Sequence, residues 1–268
     1  MLKDITLGQY FPGNTVIHRL DPRTKLLMVV LYIVALFTAK GWLGYILVAA
    51  FLCTSVKIST IQPKALIKGM KPVVIIILFT AFLNLFYTGG DHVIFRIWRL
   101  TLTWEGVETA AFMVLRIIML ISGTFLLTYT TSPIALTDGL ESLLSPLKKL
   151  HMPVHELSMM MCIALRFIPT LIEETDKIMS AQKARGADFE TGSLIQRAKA
   201  LVPILVPLFI SAFRRAEELA TAMECRCYQG GEGRTKMKAL HYARRDYVTL
   251  FIGCGLIAAV ILLKKIGI

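Results

Sequence analysis

Two short motifs place an arginine between small residues: Ala184-Arg185-Gly186 and Cys225-Arg226-Cys227, the second preceded by Glu224. A guanidinium group can hold a carboxylate through two parallel hydrogen bonds, and small neighbours let it enter a groove on another protein. The alternative is an ordinary helix end, because a following glycine commonly forms a left-handed cap and a basic residue complements the helix dipole. Two such ends in one region favour a paired docking device.

Two other motifs resemble ligand sites but lack the required spacing. Cys225, Cys227 and His241 supply three candidate metal ligands, whereas tetrahedral zinc takes four at recognisable spacing, so we expect no bound metal. The segment 231–236 contains glycines and a lysine without the phosphate-loop spacing. We therefore expect no cofactor in this chain, and no ATP bound by it.

Residues that could take part in catalysis cluster only around the start of a predicted helix. His151, His155 and Glu156 lie there without a nucleophile or an orienting partner. We expect no catalytic residue. A membrane-bound enzyme that uses this region stays open as an alternative hypothesis, after the transport hypotheses described below.

The elements that must position these motifs belong to a membrane protein. Of the 268 residues, 55% are hydrophobic, and they cluster in runs. The formal net charge is +12, but residues 132–247 are nearly balanced, with 16 Lys and Arg against 13 Asp and Glu. The rest of the basic excess flanks the apolar runs, as the positive-inside rule predicts. No basic stripe with interleaved aromatic residues occurs, so we expect no nucleic-acid partner.

The apolar runs predict about five transmembrane helices, at 26–39, 42–56, 73–88, 107–131 and 247–263. The first two are short and separated by Lys40-Gly41, which indicates a tight helical hairpin. The alternative, one long helix carrying Lys40, is disfavoured by the glycine and by a charge within the membrane.

Basic residues set the expected orientation. They precede the first run and separate the second from the third, so both segments should face the cytoplasm: Arg19, Arg23, Lys25, Lys57, Lys64, Lys68 and Lys71. The loop around 88–105 is then external and the region 132–246 internal. Five spans place the C-terminus outside, which fits poorly with Lys264-Lys265, so its side stays open.

The central region predicts long amphipathic helices. Ser132-Pro133 is typical of a helix start, Pro153 opens a long helix through Arg185, and Ser193 with Gln196 has capping-box spacing. The last of these helices has an apolar half too short to cross a membrane. The fold class is thus an all-α integral membrane protein with long amphipathic cytoplasmic helices. Its predicted domains are four spans in 1–131, the amphipathic region 132–246 and a final span in 247–268.

Two polar residues lie within predicted spans, Asn84 and Arg116. They could form the solute site of a self-sufficient permease, which is the second hypothesis. The alternative is that Arg116 packs inside the bundle against a carbonyl group or Asn84. No carboxylate partner accompanies either residue within its span, so an ion relay is not expected.

Several stretches together resemble one transporter family. "AQKARGADFETGSL", "AMECRCYQGGEGRTKMK", "FPGNTVIHRLDPRTKLL" and "HELSMMMCIALRFIPTLIEETDKI" are similar to the transmembrane T component of energy-coupling factor (ECF) transporters, the vitamin importers. The resemblance covers nearly the whole chain. It implies a multi-pass protein of a prokaryotic plasma membrane, with a cytoplasmic coupling region and no catalytic activity of its own.

The resemblance also implies partners and site residues. Each arginine motif would dock one of two ATP-binding cassette (ABC) ATPase subunits, identical or different, which bind the ATP and Mg²⁺. The docking residues carried over are Ala184, Arg185, Gly186, Glu224, Cys225, Arg226 and Cys227. The second motif departs from the family pattern, with cysteines where alanine and glycine are expected, which weakens the cap argument at Cys227.

A substrate-binding S component, either a dedicated one or one of several exchangeable ones, would sit on the apolar surface of the coupling helices. The residues expected to contact it are Met159, Met160, Ile163, Leu205 and Leu208. Grouped methionines form an adaptable surface that can repack against different partners, although each could equally be core filler. The sequence does not identify the vitamin, since specificity in this family resides in the S component.

Overall fold

A computed structural model of the chain describes residues 10–87, 93–97, 100–189, 193–231 and 239–266. They separate into two compact units. One, which we call the span unit, comprises residues 8–140 and 240–268, and the other, the hairpin unit, comprises residues 141–239.

The first two helices begin at a proline and at a glycine. Helix α1 spans Pro22–Thr38, with Asp21 as N-cap accepting a hydrogen bond from the Arg23 N–H at 2.9 Å. Helix α2 spans Gly41–Ser59, and Gly41 takes a φ of +74°, which glycine adopts without strain. The predicted helical hairpin is therefore confirmed, and the single long helix is wrong.

The next elements lead to the longest helix of the span unit. Helix α3 spans Pro63–Met70 and passes through a 3₁₀ turn, Lys71–Val73, into α4, Val74–Tyr87. Two antiparallel strands follow, β1 Val93–Ile97 and β2 Leu100–Thr103, where the sequence predicted only a loop. Helix α5 spans Trp104–Thr130, with the Thr103 hydroxyl capping the Gly106 N–H at 3.1 Å.

The predicted helix starts in the central region are confirmed. Helix α6 spans Pro133–Leu144, with the Ser132 hydroxyl accepting from the Ala135 N–H, and a 3₁₀ turn, Ser145–Leu150, follows. Helix α7 spans Val154–Ala184 and α8 spans Leu194–Glu224. Both hydrogen bonds of the Ser193–Gln196 capping box form. Helix α9 spans Arg244–Ile266.

In the part of the chain that the structure describes, five helical stretches are long and apolar enough to cross a membrane: 41–59, 63–86, 104–130, 154–184 and 244–265. The prediction of an all-α integral membrane protein with about five such helices is confirmed, the short strand pair aside. These five helices are not the same five that the sequence predicted. Helix α1 has only 17 residues and does not qualify, whereas α7 does. Length and composition do not distinguish a span from a long amphipathic helix, so the placement of α7 outside the membrane stays a prediction.

The span unit packs around α1. The carboxylate of Asp246, at the start of α9, accepts the Asp21 N–H at 2.9 Å, and Gly253 lies against Met28, so α1 and α9 run parallel. Helix α5 runs antiparallel to α1, because Lys25 Nζ donates to the Thr130 carbonyl at 2.9 Å. The core of this unit forms where these helices meet α2: Tyr32, Leu36, Tyr45, Val48, Met119 and Val260.

Candidate functional site: two arginine helix ends

The end of α7 is a Schellman cap built around Gly186. The N–H of Gly186 donates to the Lys183 carbonyl at 3.0 Å, and the N–H of Ala187 donates to the Gln182 carbonyl at 3.0 Å. Gly186 takes a φ of +88°, in the left-handed region that this cap requires. Arg185 therefore immediately precedes the left-handed residue, with its side chain exposed.

The end of α8 has the same hydrogen bonds around Cys227. The Cys227 N–H donates to the Glu224 carbonyl at 2.8 Å, and the Tyr228 N–H donates to the Met223 carbonyl at 3.1 Å. Cys227 takes a φ of +54°. A non-glycine residue in this conformation costs roughly 1–2 kcal/mol because its Cβ crowds the following carbonyl oxygen. The cap thus forms without glycine, but at a cost that Gly186 avoids.

Arg185 and Arg226 therefore occupy equivalent positions, each one residue before the left-handed residue of a Schellman cap. All seven residues predicted to dock an ATPase are exposed: Ala184, Arg185, Gly186, Glu224, Cys225, Arg226 and Cys227. The cap geometry confirms that these are helix ends, and it places both arginines at the same position of the cap backbone. Helix capping and docking are thus compatible roles.

Helices α7 and α8 form an antiparallel pair. The Gln182 side-chain amide donates to the Pro203 carbonyl at 3.4 Å near the start of α8, while Glu174 pairs with Arg215 at 3.0 Å further along it. Beyond the end of α8, Gly231 lies against the ring of His155 near the start of α7. The two arginine motifs consequently lie at opposite ends of the pair.

The separation of the two motifs follows from helix geometry. Arg226 lines the same cavity as Met159 of α7. With a rise of about 1.5 Å per residue, Arg185 lies about 40 Å further along the α7 axis. The pair therefore holds two similar cationic ends far apart.

A cavity of about 710 Å³ opens beside the second arginine motif within the hairpin unit. Arg226 and Cys227 line one part of it, and Met159 and Ile163 line another. His155 Nδ1 and Glu141 Oε1, 3.1 Å apart, also belong to its wall. The structure thus brings two of the predicted S-component residues next to the second docking motif.

The remaining predicted S-component residues differ in exposure. Met160 and Leu205 are 54% and 57% exposed, whereas Leu208 is half-buried. Leu208 shares a helical face with Ile204 and Ser211, and Ser211 contacts α7. Leu208 therefore lies on the side of α8 that meets α7.

Sequence reasoning missed the opposite face of α8. Four large apolar side chains there are each at least half exposed: Val202, Val206, Phe209 and Phe213. The rings of Phe209 and Phe213 contact each other at a tilt of 59°, with centroids 4.6 Å apart. Their spacing, at i, i+4, i+7 and i+11, marks a single helical stripe that the sequence displays. We call these four residues the outer stripe of α8.

The structure does not bring Asn84 and Arg116 together as the solute site of a permease. Both Nε and Nη2 of Arg116 donate to the Tyr45 hydroxyl, at 2.9 and 2.6 Å. Asn84 donates to the Thr80 carbonyl of its own helix at 2.9 Å. The interpretation that Arg116 packs inside the bundle is confirmed, but its acceptor is a tyrosine hydroxyl rather than a carbonyl group or Asn84.

The structure also places the residues of the metal and catalytic sites that the sequence analysis considered. Within the described residues, no group of three or more His, Cys, Asp and Glu side chains is placed to hold a metal ion. His155 is paired with Glu141, and His151 is the left-handed residue of a turn, with a φ of +58°. Most of the loop 231–236 lies outside the described residues.

The fold and the helix ends define a class: an all-α integral membrane protein with two long paired helices, each ending on an exposed arginine. A family model described as cobalt transport protein (CbiQ) matches residues 13–237. A protein of Clostridium kluyveri named energy-coupling factor transporter transmembrane protein EcfT is 56% identical over 98% of this chain and 97% of its own length. The chain belongs to this family of ECF transporter transmembrane proteins.

Further relatives agree over nearly the full length. The protein of the same name from Thermosediminibacter oceani is 58% identical, covering 96% of both chains. That of Bacillus subtilis is 50% identical over 92% of this chain and 93% of its own. The family resemblance seen in the sequence is therefore confirmed, and the chain is a membrane component of a transporter.

Proposed function

We propose that this chain is the coupling scaffold of an ECF-type ABC importer. Arg185 and Arg226 each dock one ABC ATPase subunit, and the apolar surface of the α7–α8 pair holds a membrane-embedded S component. The division into spans at 1–131 and 247–268 and a coupling region at 132–246 is part of this proposal.

The equivalence of the two helix ends carries the proposal. Two similar docking groups in the same backbone frame suit two subunits of the same kind, whether identical or merely homologous. Their separation of about 40 Å leaves room for both subunits at once. Each arginine, exposed and flanked by small residues, can enter a groove and bind a carboxylate in a bidentate manner.

The S component would meet the apolar residues that remain exposed. Met160, Leu205 and the outer stripe of α8 form the surface that suits it best, together with Met159 and Ile163 at the cavity. Leu208 contributes by packing beneath this surface. Exposed apolar patches of this size mark contact with protein or lipid.

The chemistry of energy conversion belongs to the partners. This chain binds no cofactor in the proposal, and ATP with Mg²⁺ is held by the ATPase subunits. Closure of those subunits moves Arg185 and Arg226 together, and the α7–α8 pair transmits the displacement to the S component. The transported vitamin or related micronutrient, including a metal such as the cobalt in the family description, is selected by the S component.

The expected location is the plasma membrane of a prokaryote, with the coupling region in the cytoplasm. The basic residues before α1 and those of α3 support this orientation, because they lie at one face of the span unit. The end of α9 lies at the opposite face, since α1 and α9 run parallel.

The proposal is tested by co-purification with the candidate ABC ATPase subunits in detergent. The wild type should retain two ATPase subunits, and Arg185→Glu with Arg226→Glu should retain none. Each single reversal should lose about one subunit and abolish uptake while the chain still inserts. Arg185→Lys should weaken docking, because lysine cannot form the planar bidentate pair.

Arg214→Glu is the matched control, since Arg214 is exposed on α8 away from its end. It should retain both subunits. Equal ATPase retention by wild type and the double reversal, or unchanged uptake in both single reversals, contradicts the docking role. Phe209→Asp with Phe213→Asp should release the S component and leave the ATPase subunits bound.

A further inference from the structure

Helix α3 presents a row of lysines that the transport proposal uses only to set the orientation in the membrane. Lys64 and Lys68 lie in α3, and Lys71 begins the 3₁₀ turn directly after it. Their spacing of i, i+4 and i+7 places them on one helical face. All three are exposed. Leu66, on the opposite face, is 7% exposed and packs in a core cluster with Tyr129 of α5. The helix is therefore anchored by one face and presents three positive charges on the other.

The contacts of α3 place these lysines at one end of the helical bundle. The Tyr129 hydroxyl, one residue before the end of α5, donates to the Ala65 carbonyl at 3.3 Å. Lys25, near the start of α1, donates to the carbonyl of Thr130, the last residue of α5. Helix α3 thus lies where α1 begins and α5 ends.

The chain directly after α3 is strongly apolar on its outside. Five side chains of α4 are more than half exposed: Ile75, Ile76, Leu78, Phe79 and Phe82. Such side chains suit contact with lipid tails. The lysine row therefore lies where an apolar, tail-facing surface meets the polar headgroup layer.

The charge around the row is unbalanced. No Asp or Glu occurs between Asp21 and Asp91, and α5, on which α3 packs, contains none after Glu108. Lys57, at the end of α2, adds a fourth exposed cation to the same segment. Within the described residues, no salt bridge neutralises these lysines.

We propose that the lysine row of α3, Lys64, Lys68 and Lys71, binds the headgroup of an anionic phospholipid whose acyl chains lie along the exposed face of α4. The phosphate of such a lipid accepts hydrogen bonds from the ammonium groups. A zwitterionic lipid carries a cation that this row repels. The site is a lipid contact of the span unit and is independent of the docking of ATPase subunits.

The test uses the purified full chain in a neutral detergent, titrated with short-chain phosphatidylglycerol and, separately, short-chain phosphatidylcholine. Phosphatidylglycerol should bind at least about tenfold more tightly, since each lysine near a lipid headgroup contributes about fivefold. Binding should weaken as NaCl rises from about 50 to about 300 mM, because salt screens exposed charges. Equal affinity for the two lipids overturns the proposal.

Replacement of all three lysines (Lys64→Gln, Lys68→Gln and Lys71→Gln) should lower the affinity for phosphatidylglycerol about 100-fold. The matched control, with Lys148→Gln, Lys149→Gln and Lys199→Gln, removes the same charge elsewhere and should bind as the wild type does. The triple arginine variant at the three sites should retain binding, which separates lost charge from lost folding. Unchanged binding in the glutamine variant overturns the proposal.

Glycerol phosphate in place of the lipid distinguishes a headgroup from a free anion. It should bind at least about tenfold more weakly than phosphatidylglycerol, because it lacks acyl chains to bury against α4. Equal binding identifies a soluble phosphate site and overturns the lipid assignment. Loss of ATPase retention without loss of lipid binding in the glutamine variant identifies a protein interface instead.

Discussion

Glu174 of α7 and Arg215 of α8 form an ion pair, with Oε2 and Nη2 3.0 Å apart. The Ser211 hydroxyl donates to the other oxygen of the same carboxylate. One acidic side chain thereby joins α7 to two positions one turn apart on α8. A sliding of α7 along α8 would strain this connection.

We predict that Glu174→Ala loosens the α7–α8 pair. A partly exposed ion pair contributes about 0.5 to 1 kcal/mol, so the melting temperature of the full chain in detergent should fall slightly. Uptake should fall more than stability, because the coupling path is weakened. Glu173→Ala, an exposed neighbour, is the control and should change neither.

A double-mutant cycle decides whether the pair itself is responsible. The combined effect of Glu174→Ala and Arg215→Ala should be smaller than the sum of the single effects, since they remove the same interaction. Strict additivity contradicts a direct role for the Glu174–Arg215 pair.

The two helix caps predict opposite responses to removing and to introducing a glycine at the left-handed position. Gly186→Ala should destabilise the chain by roughly 1–2 kcal/mol, because alanine does not favour a φ of +88°. A Cβ there meets no atom within 4 Å, so the cost is purely conformational. Cys227→Gly should stabilise the chain by about 1 kcal/mol for the converse reason.

Thermal unfolding of the full chain measures both changes. Gly255→Ala in α9 is the control, because that glycine lies within a helix and also meets nothing within 4 Å. It should be neutral or stabilising by up to about 1 kcal/mol. Equal destabilisation by Gly186→Ala and Gly255→Ala contradicts the left-handed cap as the cause.

Local signals in the sequence predicted the helix boundaries well. Ser132-Pro133, Lys40-Gly41 and Ser193 with Gln196 each specify a start or a break through backbone conformation or hydrogen bonding within a few residues. The family and the exposed arginine ends were likewise predictable, because their motifs are contiguous in the chain.

Pairings between distant residues were not predictable in this way. The run containing Arg215 and Glu217 shows that α8 carries charge. That Arg215 pairs with Glu174, however, depends on which faces of α7 and α8 pack together. Cysteine is seldom left-handed, so the cap at Cys227 had no signal of its own. The strands β1 and β2 were missed because the sequence there was treated only as a connection between spans.

We predict that Asp246 is essential for joining α9 to α1. It is 2% exposed, and its two oxygens accept the N–H groups of Asp21 at 2.9 Å and Ala243 at 2.8 Å. Asp246→Asn keeps the shape but loses one acceptor, which leaves a buried N–H unpaired at a cost of about 1–3 kcal/mol. The melting temperature should fall clearly, whereas Glu108→Gln, at an exposed site, should leave it unchanged. No change in Asp246→Asn would show that water or the amide oxygen satisfies both donors.

The pairing of Arg116 with Tyr45 separates a structural role from a transport role. Tyr45→Phe removes the acceptor of two guanidinium N–H groups, and Arg116→Met removes the donors, so each should lower the melting temperature by an amount equivalent to about 1–3 kcal/mol. The double variant should cost less than the sum, because methionine and phenylalanine pack without leaving a polar group unpaired. Uptake per folded Arg116→Met molecule should stay near that of the wild type. A variant that melts normally but takes up no solute would instead favour a permease site at Arg116.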